Sequence, residues 1–520
     1  MTQHTEAENI PEEVADFCNE ADALVRAGDP DEAQRRLNFA LDTLRNLVRP
    51  RAQARVLEAF AHLHRSVGRM AEAESALRAA LACFLKLGDR AAEARMLGEL
   101  ASMRISQGDL EDGGFWLQSA LEVLRELDDR PGLAEIHRNI AALHLRKSEL
   151  KTAEQEAEQA IDLFRLLGDK QGEARTQGML AQVLMRRSAY AAAHQAAERA
   201  RELFEQEGHK PGAGSARMVI AAILRHEGRL REAEQLLTQL LAEKQAQQDR
   251  AGEAGILNTL GMVVMDFNDN RLQLAERHFL RAIEVFTAIN DSQNAALSQV
   301  NLADLYTVLD RPHDAETTLR DAIKLQQQTG ARESEMRTVR SLGHVLAVQG
   351  RLEEAAQAYR EALEFARGHG GGALVHEFLA PWAELQLARG RLPEVRDTVR
   401  RVEKNHPPTR ALRIKYLLPV LARVALCVRD IESARAAVTE AELLLSEEPE
   451  EARPGLRGAI DEVLATIRVA EKADEWPLFN GYRPEEFAPG LRHALLAELK
   501  TARPEDYEEL SPELLAAMEG

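Results

Sequence analysis

The chain has 520 residues, of which 45% are apolar and only 4% aromatic, so its interior must consist mainly of Ala and Leu. Its formal net charge of −19 argues against nucleic acid or an anionic membrane surface as a partner. Three distant cysteines, Cys18, Cys83 and Cys427, form no disulfide or metal pattern and favour a reducing compartment.

The first stretch of the chain contains no apolar targeting segment. Residues 1–13 are acidic, so no secretory signal is expected. No apolar run in the sequence approaches the roughly 18 residues that a membrane-spanning helix needs. The sequence therefore predicts a cytoplasmic protein without a membrane partner.

A short segment recurs about every 40 residues between residues 11 and 446. Two clear copies are Gly68-Arg-Met-Ala-Glu-Ala73 and Gly350-Arg-Leu-Glu-Glu-Ala355. The last residue of the segment falls at eleven places: Ala33, Ala73, Gly113, Ala153, Ala193, Ala233, Ala275, Ala315, Ala355, Val395 and Ala434. A period of this length predicts stacked units, each of which contacts only its neighbours.

Each unit predicts two helices, A and B, joined by a tight turn. Around Gly108, for example, apolar residues recur at helical spacing on both sides of the turn. Gly at this first turn readily adopts a positive φ, which ends helix A and reverses the chain. Asp29, Asp109 and Ser188, which lie at first turns, can accept hydrogen bonds from the free N–H groups of helix B.

Two columns of small residues accompany these turns. The first, which we call the small column, lies seven residues before the first-turn position: Ala21, Ala61, Ala101, Ala141, Ala181, Ala221, Gly261, Ala303, Gly343, Ala383 and Ala422. The second lies twelve residues after it: Ala40, Ala80, Ala120, Ala160, Ala200, Ala282, Ala322, Ala362 and Ala441. Small side chains at matched positions let neighbouring helices pack closely, so the sequence predicts an all-α fold.

These features resemble the tetratricopeptide-repeat family. A large residue precedes a small one in helix A, as in Leu100-Ala101 and Ile140-Ala141, and Asn301-Leu302-Ala303-Asp304-Leu305-Tyr306 is especially similar to the family pattern. The 40-residue unit is similar to the longer subclass found in kinesin light chains and polarity-adaptor proteins. The usual Trp at the start of helix A and Pro at the end of the unit are largely missing.

The resemblance implies a right-handed α-solenoid of about eleven helix-turn-helix repeats, whose A helices line a concave groove. It also implies a function: a non-enzymatic scaffold or adaptor that binds a protein or peptide segment in that groove.

Arginine is frequent in helix A, and the chain contains 55 Arg against 11 Lys. Genome base composition is one explanation. Ligand contact is the other, because the planar guanidinium suits carboxylates and phosphates, and it predicts an acidic or phosphorylated segment as the partner. The resemblance places these residues at the groove: Arg55, Arg95, Arg138, Asn139, Arg175, Asn301, Arg337 and Arg340. The two asparagines match the family position from which Asn commonly holds a ligand backbone.

Two stretches imitate known binding loops incompletely. Asp266-Phe-Asn-Asp-Asn-Arg271 begins like a calcium loop, but Arg271 and Arg277 stand where that loop has Gly and Glu. Gly368-His-Gly-Gly-Gly372 lacks the Lys-Ser/Thr of a phosphate loop. We interpret the first as an enlarged turn and the second as a flexible joint.

No set of residues predicts catalysis, a metal site or a cofactor. His226-Glu227 and His376-Glu377 begin like a helical zinc motif, but neither is followed by the second His. His137 and His144 could share one helix face, without a third ligand. We interpret the histidines as surface or turn residues.

The period ends near Ser446. Residues 454–472 predict an amphipathic helix that covers the last apolar face of the solenoid, and Trp476-Pro-Leu-Phe-Asn-Gly-Tyr482 is aromatic and turn-rich. Residues 447–520 contain 18 acidic and 8 basic residues. We therefore predict a solenoid over 11–446 and an acidic capping helix and tail over 447–520. The tail is either a folded cap or a cis-acting ligand that occupies the groove until a partner displaces it.

Overall fold

A computed structural model describes residues 12–27, 30–44, 49–67, 69–106, 109–147, 149–267, 271–369, 372–448, 453–472, 479–480, 482–508 and 510–519. Apart from one bridge between Phe479 and Tyr482, every regular element among these residues is helical. The chain divides into two compact units, Met1–Leu180 and Ala181–Gly520, with the boundary inside one helix.

The first unit consists of four antiparallel helix pairs and the start of a ninth helix. Its helices are α1 (Glu12–Ala27), α2 (Pro30–Leu44), α3 (Pro50–Ser66), α4 (Met70–Leu87), α5 (Arg90–Ser106), α6 (Leu110–Leu127), α7 (Arg130–Arg146), α8 (Leu150–Leu167) and α9 (Lys170–Arg186). The odd-numbered helices are the predicted A helices.

The second unit continues the same alternation and ends in shorter helices. Its helices are α10 (Tyr190–Gln206), α11 (Lys210–His226), α12 (Leu230–Ala246), α13 (Arg250–Asp266), α14 (Leu272–Ala288), α15 (Ser292–Val308), α16 (Pro312–Thr329), α17 (Arg332–Val348), α18 (Leu352–His369), α19 (Gly372–Ala388), α20 (Leu392–Asn405), α21 (Arg410–Leu412), α22 (Leu418–Cys427), α23 (Ile431–Ser446), α24 (Arg453–Lys472), α25 (Pro489–Ala502), α26 (Pro504–Glu508) and α27 (Pro512–Glu519). A π-helical turn, Arg413–Leu417, joins α21 to α22. Sequential helix pairing within each unit confirms the predicted all-α solenoid of tetratricopeptide-like repeats.

The first turns reverse the chain at a residue with positive φ, as predicted. Gly228, Gly350 and Gly390 take φ values of 75°, 76° and 74°. Ser188 takes the same left-handed conformation, with φ 61°. The predicted capping role of Ser188 is therefore wrong, because the N-cap of α10 is Ala189, which has no side-chain hydrogen bond.

Side chains at several turns do cap the following helix. Asp109 accepts a hydrogen bond from the backbone N–H of Asp112 at 3.2 Å, which confirms its predicted role. At the turns between repeats, Asp129 caps α7 in the same way, with a distance of 3.1 Å. His209 takes the equivalent place before α11, where its Nδ1 accepts from the N–H of Gly212 at 3.0 Å.

Some sequence predictions concern residues outside the described ranges. These are the cap at Asp29, the middle of the calcium-like stretch (268–270), the centre of the glycine run (370–371) and most of the aromatic stretch (473–478 and 481). They remain predictions.

The small column is buried throughout the described chain, so neighbouring helices approach closely there. Two members of the column are glycines, because an aromatic ring of the following helix occupies the place that their own side chain would take. A Cβ placed on Gly261 would lie 2.5 Å from the ring of Phe279, and one on Gly343 would lie 2.9 Å from the ring of Tyr359.

The C-terminal helices dock against the second unit's repeats. Helix α24 packs on α23, and α25 packs across α17 and α18. The buried side chain of Arg389 donates to Glu498 of α25 at 2.8 Å. Gly490 lies so close to the backbone of Val348 that an added Cβ would meet its carbonyl oxygen at 2.3 Å. One apolar cluster, running from Val264 to Met518, therefore joins repeats and tail.

Candidate ligand-binding groove

Arginines of α3 and α5 surround one pocket of about 210 Å³ in the first unit. Glu58 lies between two of them, since its carboxylate accepts hydrogen bonds from Arg55 at 2.8 Å and from Arg95 at 3.0 Å. Arg65 donates to Glu99 of the next A helix at 2.9 Å. The structure thus brings the predicted Arg55 and Arg95 together, but carboxylates of the same chain already partner them.

The other predicted residues of the first unit lie on α7 and α9. Arg138 forms an ion pair with Glu135 on its own helix, and its Nε is buried without a hydrogen-bond partner. Asn139 is half-buried. Arg175 is exposed and forms no hydrogen bond or ion pair with any residue that the structure describes. It is the predicted cation most available to a ligand.

In the second unit, Arg337 is held by carboxylates. It donates to Glu377 of α19 at 2.5 Å and to Glu333 of its own helix at 3.3 Å. Burial and then the charge of Arg337 lower the pKa of the Arg186 guanidinium at the end of α9. Residues that are distant in sequence therefore act on each other electrostatically within this unit.

A column of charged residues, which we call the groove column, lines the A helices of the second unit. Its members are Asp304, His344, Glu384 and Arg423, and each directly follows a member of the small column. The sequence prediction missed these residues, although their constant offset from the small column was an available signal.

Three members of the groove column have side chains that are exposed to solvent but also surrounded by protein. Asp304, His344 and Glu384 are exposed to solvent. Burial by surrounding protein nevertheless raises the pKa of Asp304, lowers the pKa of His344, and raises the pKa of Glu384 to about 7. None of the three forms a hydrogen bond or ion pair with another described residue. Side chains that are both exposed to solvent and surrounded by protein lie on a concave part of the surface.

The remaining predicted residues, Arg340 and Asn301, lie beside the groove column. The charge of Arg340 acts on both Asp304 and His344, and its Nε is buried without a hydrogen-bond partner. Asn301 donates from Nδ2 to the Oδ1 of Asn258 on the neighbouring A helix at 3.0 Å. The two side-chain amides thus form a hydrogen bond between the A helices of adjacent repeats.

The C-terminal segment closes one end of the groove column. Arg423 is 4% exposed; it donates to Glu486 and, at 2.9 Å, to Thr466. The ring of Tyr482 lies 4.5 Å from the guanidinium carbon of Arg423. None of the predicted groove arginines forms an ion pair with the described part of this segment.

Two histidines are more deeply placed than predicted. His137 is 7% exposed, with its Nδ1 2.6 Å from the Oε2 of Glu156. His376 is fully buried, and its Nε2 lies 2.9 Å from the backbone oxygen of His406. The interpretation as surface or turn residues is wrong for this pair, because the repeat packing covers them.

The described residues contain neither a metal-binding cluster nor a membrane-spanning helix. No cluster of three or more His, Cys, Asp or Glu side chains in these ranges could hold a metal ion. None of the helices in the same ranges has the length and apolar content to span a bilayer. None of the three cysteines is in a disulfide.

Family models of tetratricopeptide repeats match most of the repeat region. A model described as the MalT-like TPR region matches residues 256–476. Two further tetratricopeptide-repeat models match residues 92–166, and residues 18–84 and 179–249. No curated protein sequence matches the chain significantly.

Solved structures of helical-repeat proteins are similar at low sequence identity. Yeast Tom70 is 16% identical, with coverage of 88% of this chain and 97% of that chain and a TM-score of 0.45. The apo form of RapI is 15% identical, covering 54% and 99%, with a TM-score of 0.44. The apo quorum sensor NprR from B. thuringiensis is 13% identical, covering 76% and 99%, with a TM-score of 0.43. Likenesses this weak transfer no ligand or binding mode to the chain.

Proposed function

We propose, from the premise that this chain belongs to the tetratricopeptide-repeat family, that it is a non-enzymatic scaffold or adaptor. It binds a peptide or protein segment in the groove lined by its A helices. Stacked repeats of this kind present extended concave surfaces, which suit an extended partner segment rather than a small substrate.

The groove column is the observation that carries this proposal. Enclosed charges in folded proteins normally have a partner, because leaving one unpaired costs free energy. Asp304 and Glu384 have no hydrogen-bond or ion-pair partner among the described residues, although most other charges on the A helices are paired. A bound segment would supply the missing partners.

We further propose that the first unit prefers an acidic or phosphorylated segment. Arg55, Arg65 and Arg95 lie around one pocket, and Arg175 is exposed without a partner in the described chain. A phosphate or carboxylate can take two parallel hydrogen bonds from a guanidinium. Glu58 shares the pocket, so an incoming anion must compete with it for Arg55 and Arg95.

Site-specific photo-crosslinking tests the groove directly. A photoreactive amino acid at Asp304 or His344 would face the groove, whereas one at the exposed Thr317 of helix α16 would lie on a B helix. We expect the groove positions, and not Thr317, to capture one defined partner from extracts of the native organism. Capture that is equally efficient from Thr317 would contradict groove binding.

Charge reversal tests the acidic preference separately. Changing Arg95, Arg138 and Arg175 together to Glu should weaken partner binding at least about tenfold, since several charge-assisted contacts are lost. The matched control reverses Lys86, Arg125 and Lys151, which are exposed on B helices and alter the net charge equally. Unchanged affinity in the groove variant, with its helicity intact, would rule out the acidic preference.

The alternative reading makes the tail a cis-acting ligand that inhibits the groove. The described tail residues pair with Arg389 and Arg423, not with the predicted groove arginines. These contacts support a folded cap that begins near residue 447. The boundary at this residue and the inhibitory role both remain predictions.

A further inference from the structure

Glu384 is a carboxylate of the groove column without a hydrogen-bond or ion-pair partner among the described residues. It lies on α19 and is exposed to solvent. Arg423 occupies the equivalent place one repeat later, and its positive charge acts on Glu384. The two side chains nevertheless form no ion pair.

Arg423 is already committed to other partners. Its guanidinium donates to Glu486, to Thr466 at 2.9 Å and to Glu462 at 3.4 Å, and it is 4% exposed. Glu486 also accepts from the Nε of Arg483 at 3.1 Å, so the carboxylates of Glu384, Glu462 and Glu486 share two guanidiniums. Three carboxylates against two guanidiniums leave the local charge negative when Glu384 is ionised, so the surroundings favour a further cation.

Tyr482 supplies a second observation, the buried hydroxyl of its side chain. The residue is 5% exposed, and its hydroxyl has no hydrogen-bond partner among the described residues. Burial and then the charge of Glu384 raise the pKa of this phenol, which places the hydroxyl in the field of that carboxylate. Buried hydroxyls without a partner are uncommon and cost free energy.

We propose that Glu384 and Tyr482 form a binding site for a cationic side chain, arginine or lysine, of the segment that lies in the groove. A guanidinium or ammonium carries several N–H donors, so it can donate to the Glu384 carboxylate and to the Tyr482 hydroxyl at once. This inference rests on the proposed function, since the cation comes from the bound segment.

In this proposal the C-terminal segment supplies part of the binding site. Glu384 belongs to a repeat, whereas Tyr482 and Glu486 follow α24 and lie at the closed end of the groove column. Without the segment, the site would lack the hydroxyl and Arg423 would lose Glu486.

Positional-scanning peptides test this directly on the full chain. The probes are fluorescent octapeptide mixtures in which one position is fixed as Arg, Lys, citrulline or Glu. We expect Arg or Lys at one position to bind about tenfold tighter than citrulline, which has the same shape without the charge. In Glu384→Gln this preference should disappear, while Glu394→Gln, an exposed glutamate of the same repeat, should keep it.

Tyr482→Phe provides a second variant that removes only the hydroxyl. It should weaken Arg-fixed peptides about threefold to tenfold and leave citrulline-fixed peptides unchanged. Peptides that bind wild type without any preference for Arg or Lys would overturn this inference and leave groove binding intact. Tighter binding by Tyr482→Phe would also overturn it, and would favour an inhibitory tail. If no mixture bound at all, both the site and the proposed function would fail.

Discussion

Gly255 and Gly261 lie on the same helix, α13, in different surroundings. A Cβ on Gly255 would meet nothing within 4 Å, whereas one on Gly261 would lie 2.5 Å from the ring of the fully buried Phe279. We expect Gly255→Ala to stabilise the fold by about 0.5–1 kcal/mol through helix propensity. Gly261→Ala should destabilise it by about 1–3 kcal/mol through overpacking.

Chemical denaturation of the two variants measures this difference. The pair shares its helix and its chemistry, so propensity cancels and the gap between the two variants reports the small column alone. Equal stability of the variants would show that α13 and α14 can separate without cost.

The charge on Glu384 makes stability depend on pH. In the folded chain its pKa is about 7, against an ordinary value near 4.5, because burial outweighs the opposing charge of Arg423, with Glu462 and Glu486 adding to the increase. The folded chain therefore holds this proton more tightly than the unfolded chain. The contribution is fully present below pH 4.5 and is lost as pH rises to 7.

Glu384→Gln removes this titration, so it should become more stable than wild type across the same interval. Thermal unfolding followed by circular dichroism should show a gap in Tm that widens from pH 4.5 to 7 and is constant above it. Glu394→Gln should follow the wild-type curve at every pH. A gap that does not depend on pH would mean that Glu384 titrates normally.

At the level of single residues, the sequence did not show how the predicted arginines are engaged. The resemblance placed Arg95 and Arg337 correctly on A helices. It did not show that Glu58 and Glu377 of the adjacent A helices would pair with them, because such pairs depend on how neighbouring helices cross. The enclosure of Glu384 depends on groove curvature, which no local pattern encodes.

Among the helices, α25 contacts the first turn at Gly350, and a substitution of this glycine can test the contact. Gly350 and Gly228 are both first-turn glycines, with φ values of 76° and 75°. An added Cβ at Gly228 meets nothing within 4 Å, but at Gly350 it would lie 2.9 Å from the carbonyl oxygen of Gly490 on α25.

Both Gly→Ala variants should lose about 1–2 kcal/mol from the left-handed backbone. Only Gly350→Ala should also loosen α25. Hydrogen exchange of the amides in residues 489–502 should then speed up in Gly350→Ala and stay unchanged in Gly228→Ala. Equal protection in both would mean that α25 does not rest on the turn at Gly350.

The repeat helices could be predicted from sequence almost completely, because their apolar spacing and turns recur in each unit. The docking of α25 could not, since its sequence has no periodic relation to α17 or α18. Ser188 shows a second limit of prediction from the sequence. Serine commonly caps helices, but here the turn needs a left-handed residue, and the chain places Ser188 in that conformation instead.

At the scale of the whole molecule, six apolar clusters each lie within one of the two compact units. Three lie between Val14 and Phe164, and three lie between Ala254 and Met518. We therefore expect fragments 1–169 and 170–520, cut at the turn before α9, each to fold with cooperative thermal unfolding and high helicity.

A cut after Gln349 is the matched comparison, since it divides the cluster that runs from Val264 to Met518. Fragment 170–349 should melt at a lower temperature than 170–520 and expose apolar surface to a hydrophobic dye. Comparable melting of the two fragments would show that each repeat pair carries its own stability. The division near residue 180 had no sequence signal, because the 40-residue spacing continues through it.

The imidazole that caps α11 makes this helix start depend on a tautomer. The Nδ1 of His209 can accept the Gly212 N–H only when the ring proton is on Nε2. The carboxylates of Asp129 and Asp249 cap α7 and α13 without any such choice. His209→Asp should therefore keep the cap of α11, whereas His209→Ala should remove about 1 kcal/mol of stability.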